Sequence, residues 1–270
     1  MNLKTFGVNL TFKLRVITVK INKFNEETKK EISLQGRDKN FDLLSKKWII
    51  KSTKSKYTYH FNWLGRPIIQ HPQDIVGMQE LIFRIKPDLI IETGIAHGGS
   101  LIFYSSILEL VSLCGGPKNS KVLGIDIDIR KKNLLKIKKH PMKKRIVMYE
   151  GSSISKSIFD KVNKFAKKYK NIMVVLDSNH THEHVLNELK LYTPLVSVGN
   201  YCIVFDTIIK DLPDGLGPKR KWSSQKNPHT AVVQYLKENK NDNKLKFKID
   251  KEIENKLMIT ACPEGFLLRV

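Results

Sequence analysis

The run Pro87-Asp88-Leu-Ile-Ile-Glu92-Thr-Gly94-Ile-Ala-His97-Gly98-Gly99-Ser100, followed by the apolar stretch Leu101 to Leu113, decides how this chain folds. Asp88 to Glu92 is a short apolar run behind a proline and reads as a buried strand. The glycines after it read as a turn, and the apolar stretch as a core helix. Strand, glycine-bearing loop and helix, in that order, make the cofactor-binding unit of an α/β protein. Gly94, Gly98 and Gly99 let the backbone approach a ligand with no Cβ in the way, while the amino end of the helix is aimed at the same place. Their spacing is not G-x-G-x-x-G, which disfavours NAD and favours an E-x-G form of the loop. An apolar strand before a glycine also occurs in α/β proteins that hold nothing there.

Working outward, the alternation continues. Lys121 to Asp126, Arg145 to Tyr149, Asn171 to Asp177 and Tyr201 to Asp206 read as strands, and Ser155 to Lys168, Glu183 to Leu191 and Thr230 to Glu238 as helices. Two last strands, about Lys256 to Thr260 and Phe266 to Val270, flank the turn Cys262-Pro-Glu-Gly265. The expected class is α/β, with a doubly wound, mostly parallel seven-stranded sheet and an antiparallel C-terminal hairpin edge. Upstream, Trp63 to Asp74 reads as an ordered loop, with Asp74 capping a helix that runs through Arg84. Residues 1–60 are rich in Lys, Thr and Asn and read as a basic N-terminal appendage, within which Val8 to Ile21 alternates like a strand or hairpin arm. Residues 61–270 are the folded domain, with no internal repeat.

The 270 residues, 41% of them hydrophobic, are enough for a buried core. Lys and Arg number 48 against 26 acids, a formal charge of +22. Runs such as Lys131-Lys132 and Lys143-Lys144-Arg145 are spread along the chain with few aromatics among them for base stacking. They read first as a solvated basic surface and second as a face for an anionic partner; nucleic acid is the weaker choice. Cys114, Cys202 and Cys262 form no C-x-x-C pair, against a disulfide framework or zinc knuckle and in keeping with a reducing compartment. Leu101 to Leu113 contains Glu109 and is shorter than the ~20 residues of a membrane span. No signal-like segment stands at the start, so a cytoplasmic protein is expected, with peripheral membrane contact and a homo-oligomer left open.

In doubly wound sheets ligands bind beyond the carboxyl ends of the strands, and here those ends are polar: Glu92, Asp126-Ile-Asp128, Glu150-Gly-Ser152-Ser153, Asp177-Ser-Asn-His180 and Asp206-Thr207. Asp126 is placed to accept hydrogen bonds from ribose hydroxyls. Asp177 and Asp206, at neighbouring strand ends, suit a hard divalent ion such as Mg²⁺. His180, three residues past Asp177, titrates near neutrality and suits a general base, or else it belongs to the cap of the next helix with Ser178, Asn179, Thr181 and His182. His182 and His184 read as surface or packing residues. His71 and His97 read as lining the cofactor pocket or as structural. The loop Lys210 to Asn227, with Lys219-Arg-Lys221-Trp222, either closes over an anionic substrate or is an ordinary exposed loop.

Several long motifs in order, the run from Pro87 to Ser100, Val175 to Leu189, Tyr192 to Tyr201, Asn227-Pro-His-Thr-Ala231 and Cys262 to Arg269, together resemble the cephalosporin hydroxylase-like family, which includes rhamnosyl and macrolide sugar O-methyltransferases. The resemblance covers Trp63 to Val270. It implies a Rossmann-like methyltransferase fold, S-adenosylmethionine as methyl donor, often Mg²⁺, and a sugar or related hydroxyl as acceptor, on a glycolipid, polysaccharide or secondary metabolite. Despite the name, it does not imply an iron or 2-oxoglutarate hydroxylase. Position by position it puts Glu92, Gly94, His97, Gly98 and Ser100 in the cofactor loop, Asp126 on the ribose, Ser152 near the adenine, Asp177 and Asp206 on the metal, and His180 as the base with Asp177 beside it. Members often carry an acidic pair at the end of strand five; this chain has Phe205-Asp206. The rival readings are a nucleic-acid-binding protein, for the charge, and a catalytically silent α/β interaction domain, for Phe205. Strand four lacks the N/D-P-P-Y/W signature of base N-methylation.

Overall fold

The computed structural model describes residues 23–216, 222–242 and 245–270. The Val8 to Ile21 alternation and the basic tract at Lys219 to Lys221 lie outside the described residues.

Two helices come first, α1 (23–35) and α2 (Lys39–Lys54). The Asp38 carboxylate caps α2 by accepting the amides of Asn40 and Phe41, and Ile49 turns inward to join the core at 4% exposure. The residues read as an appendage thus include a helix anchored on the domain. A small hairpin follows, β1 (Phe61–Trp63) and β2 (Arg66–Ile68). Next comes α3 (Pro72–Ile85), opened by a proline in its first turn. Asp74 does not cap this helix. His71 holds the cap position, and the fully buried Asp74 carboxylate instead accepts the Thr260 hydroxyl and the Ala261 amide, 187 residues away.

The α/β alternation then runs β3 (Leu89–Thr93), α4 (Gly99–Leu113), β4 (Lys121–Asp126), α5 (Lys131–Lys139), β5 (Ile146–Glu150), α6 (Lys156–Ala166), β6 (Ile172–Leu176), α7 (His182–Tyr192), β7 (Tyr201–Val204), α8 (Pro228–Glu238), β8 (Phe247–Ile249), α9 (Lys251–Leu257) and β9 (Phe266–Arg269). The main sheet has seven strands in the order β5-β4-β3-β6-β7-β9-β8, and only β9 runs against its neighbours. β3 and β6 are buried at every position, as strands covered by helices on both faces must be. One core, with Met78, Ile82, Leu101, Phe103 and Leu108, lies under α3 and α4. The other, with Val162, Val185, Leu189 and Val232, lies under α6, α7 and α8.

The antiparallel edge is present, but not as a tight hairpin. Lys256 to Thr260 is not a strand: α9 occupies residues up to Leu257, capped by Asp250, and Met258 at φ +57 ends it. The outer strand is Phe247–Ile249 instead. The short apolar run Leu257-Met-Ile259 looks like a strand locally, but the hydrogen bonds from Thr260 and Ala261 to Asp74 fix the chain that follows it elsewhere. Among the described residues no helix is long and apolar enough to cross a membrane.

From β3 the chain fills β4 and β5 on one side before crossing to β6 and β7 on the other. The strand order therefore reverses beside β3, and the crevice opens at the carboxyl ends of β3 and β6.

Candidate active site

The loop after β3 is held from three directions. Asp126 Oδ2 accepts the amides of Ile95 (2.7 Å) and Ala96 (3.1 Å), and its Oδ1 accepts the amide of Asp128 at 3.1 Å. Asn133 donates to the Ala96 carbonyl at 2.9 Å, and Arg66 donates to the His97 carbonyl and to Asn133 Oδ1. These bonds fix the loop to β4, α5 and β2. Sequence reasoning missed Arg66 and Asn133, because their work is to hold carbonyls far away in the chain.

Gly94 has a real steric reason. Its φ is +93°, and a Cβ there would fall 2.0 Å from the Asp177 carbonyl oxygen, so only glycine lets β3 and β6 end side by side. Gly99 likewise brings the start of α4 against β2, where a Cβ would meet the Pro67 oxygen at 2.1 Å.

Beneath the loop, Glu92 is fully buried. Its Oε2 accepts the Ser100 hydroxyl at 2.9 Å, while its Oε1 has no protein partner among the described residues. Burial pushes its carboxyl up to about 8; the Ser100 bond opposes this, and the nearby Asp126 charge adds to it. A buried acid with one oxygen unspent, bonded through the other to the cavity-lining Ser100, fits a polar cofactor group.

The crevice is a cavity of about 710 Å³. Gly94, His97, Ser100, Asp177, His180 and Asp206 all line it. Gly98 begins α4 just behind the wall, whereas Asp126 and Ser152 stand at the ends of β4 and β5, outside the lining. Asp177, His180 and Asp206 present ligand atoms all within 4.8 Å of one another, and His180 Nε2 lies 3.1 Å from Asp206 Oδ2. Burial pushes the Asp177 carboxyl well above the usual range, and the charges of Asp206, Glu92, Glu188 and Asp74 push the same way. Such a concentration of carboxylates costs stability unless a cation offsets it, so the cluster fits a divalent ion. Phe205, where an acidic ligand was expected, is buried and lines the cavity without an oxygen to offer.

His182 and His184 are tied into the packing. His182 bonds to Thr230 and Gln234, and His184 to Ser153 and Ser178. His97 lines the cavity and offers its carbonyl to Arg66. His71 also lines the cavity, buried, with Nδ1 unpartnered among the described residues. Part of the wall was not legible in the sequence, since Ile49, Ser52 and Lys54 come from α2; Leu212, Leu216 and Trp222 belong to the stretch after β7 that was read as either closing over a substrate or lying exposed.

The strand order, the lone antiparallel β9 and the polar strand ends around one cavity define a protein of the Rossmann-like methyltransferase class. Comparison with known sequences narrows this. The chain belongs to the rhamnosyl O-methyltransferase/CmcI family, whose model matches residues 55–270. A rhamnosyl O-methyltransferase of Mycobacterium tuberculosis is 33% identical over 199 residues, 73% of each chain. One of Mycobacterium leprae is 29% identical over 212 residues, 77% of this chain and 82% of that one. Among solved structures, CmcI with Mg and SAM superposes with a TM-score of 0.55 at 18% identity, covering 78% of this chain and 77% of that one, which supports the fold.

Proposed function

We propose that this protein is an S-adenosylmethionine-dependent O-methyltransferase whose acceptor is a hydroxyl of a sugar, free or carried on a lipid, polysaccharide or secondary metabolite. The observation that carries the reading is the convergence of Asp177, His180 and Asp206 on the floor of the cavity whose wall is the Gly94 to Ser100 loop. The 33% identity to a rhamnosyl O-methyltransferase supports the sugar acceptor.

S-adenosylmethionine supplies an activated methyl group on a sulfonium. Glu92 and Ser100 would receive its polar end, Asp126 at the end of β4 would face the ribose, and Ser152 would be on the adenine side. Asp177 and Asp206 would hold Mg²⁺, which would supply Lewis-acid chemistry at the acceptor hydroxyl and offset the clustered carboxylates. His180, oriented by Asp206, accepts the hydroxyl proton, a role that typically supplies on the order of 10² to 10⁴ in rate. The cavity excludes water and holds the acceptor in line, so that a bimolecular displacement becomes effectively unimolecular.

Calorimetric titration with S-adenosylmethionine, with and without Mg²⁺, followed by mass-spectrometric assay on rhamnosides, tests this. Saturable micromolar binding and a product heavier by one methylene are expected. Absence of cofactor binding under both conditions would sink the proposal.

A further inference from the structure

Glu264 lies outside the cavity, in the turn between α9 and β9, at φ +61°, a conformation unusual for a side chain with a Cβ. It gathers two lysines and a histidine from three elements. Oε2 accepts Lys210 Nζ at 3.0 Å and also His229 Nε2, and Oε1 accepts Lys251 Nζ at 2.9 Å. Its amide donates to Glu254 Oε2 at 3.1 Å, which fixes the turn itself. Burial pushes this carboxyl up, but the hydrogen bonds from Lys251, His229 and Lys210 outweigh it and hold the carboxyl well below the usual range. The Glu264, Lys210 and His229 side chains are only 28%, 23% and 17% exposed, so solvent screens them less than a surface pair.

The placement of the three partners matters. Lys210 is in the turn just past Asp206, and His229 is in the first turn of α8. Leu212, Leu216 and Trp222, which fall between them in sequence, are on the cavity wall. One carboxylate oxygen therefore ties Lys210 and His229, on the near and far flanks of these three wall residues. The far flank is also fixed by buried Asn227, which caps α8 and donates to the carbonyls of Ser223 and Ser224. The family motifs around Asn227 and Cys262 thus meet at this point.

We propose that Glu264 is a positioning residue that holds the part of the cavity wall to which Leu212, Leu216 and Trp222 contribute, against which the acceptor would lie. The kinetic consequence rests on the function proposed above; the tethering does not.

Hydrogen exchange on the full chain tests it with Glu264→Gln, which keeps shape and loses charge, and Glu264→Asp, which keeps charge. In Glu264→Gln, exchange is expected to rise at least tenfold across 207–216 and the first turn of α8, while β3, β4 and β6 stay within twofold of wild type. S-adenosylhomocysteine affinity should also stay within twofold, and Glu264→Asp should retain most of the protection. With methyl α-L-rhamnopyranoside as probe acceptor, Glu264→Gln should raise its KM about tenfold and leave the KM for S-adenosylmethionine unchanged. Unchanged exchange in Glu264→Gln, or a rise spread evenly over the molecule, overturns the proposal. If the wild type does not methylate the rhamnoside, the sugar reading suffers for that probe, and the exchange comparison alone decides the role of Glu264.

Discussion

His180 Nε2 stands 3.1 Å from Asp206 Oδ2, a contact that joins the loop after β6 to the end of β7. A carboxylate so placed orients the imidazole and stabilises the protonated ring once it has taken a proton. His180→Ala is therefore expected to lower kcat by about 10² to 10⁴ with S-adenosylhomocysteine affinity unchanged. Mn²⁺ titration of the same variant separates base from ligand: retained affinity is expected, and loss of affinity together with turnover would make His180 a metal ligand instead.

Asp177 is held among Asp206, Glu92, Glu188 and Asp74, and its burial and their charge work against ionisation. Asp177→Asn removes that burden at the expense of function, as at other strained sites. The metal-free variant should melt a few degrees above wild type at pH 8, as about 1 kcal/mol shifts the midpoint by roughly 2–4 °C in a domain of this size. It should also lose any stabilisation by Mg²⁺. A lower melting temperature would contradict the account of the cluster.

The buried acids Glu92, pushed up to about 8, and Asp74, pushed up to about 7, set a pH dependence. Both keep their protons in the folded state at pH values where the unfolded chain has lost them. The unfolded state then binds fewer protons, so stability falls as pH rises from the ordinary carboxylate range near 4 towards 8 and levels off above it. Thermal melts of metal-free protein should show that decline. Glu92→Gln should match wild type near pH 4.5, exceed it by several degrees at pH 8.5, and leave a smaller slope due to Asp74 and Asp177.

Gly94→Ala places a methyl group 2.0 Å from the Asp177 carbonyl oxygen at φ +93°. A left-handed conformation alone costs an alanine roughly 1–2 kcal/mol, and the clash adds to it. Denaturant unfolding should show a loss of at least about 2 kcal/mol, and calorimetry a loss of cofactor binding. Wild-type behaviour in both would mean that the ends of β3 and β6 are not so closely joined.

Asp126 spends one oxygen on the amides of Ile95 and Ala96 and the other on Asp128. Asp126→Ala leaves those amides unpaired and should weaken S-adenosylhomocysteine binding at least tenfold. Asp126→Asn, which still offers an acceptor oxygen, should lose less. Equal losses in the two variants would mean that the carboxylate charge, and not its acceptor oxygen, makes the main contribution.

Much of the site was legible because its residues sit at strand ends, where a continuous apolar run stops and a polar residue follows. Glu92, Asp177 and Asp206 were found that way, and His180 by its spacing from Asp177. Asp74 and the C-terminal edge were misread for one common reason. Asp74 sits where a helix cap is expected, and Leu257-Met-Ile259 has strand-like composition, yet the hydrogen bonds from Thr260 and Ala261 to Asp74 decide both. No local pattern records a bond between residues 187 apart in sequence.

By itself the sequence determined the α/β class, the parallel core of the sheet and which strand ends carry acids, because burial of β3 and β6 on both faces demands unbroken apolar runs and leaves polar residues only at their ends. The tertiary structure alone decided what those acids do to one another. Only folding brings Asp177, His180 and Asp206 within 4.8 Å, presses Gly94 against Asp177, and gathers Lys210, His229 and Lys251 on Glu264. Electrostatic and steric effects fall off over a few ångströms of space, and distance along the chain says little about distance in the fold.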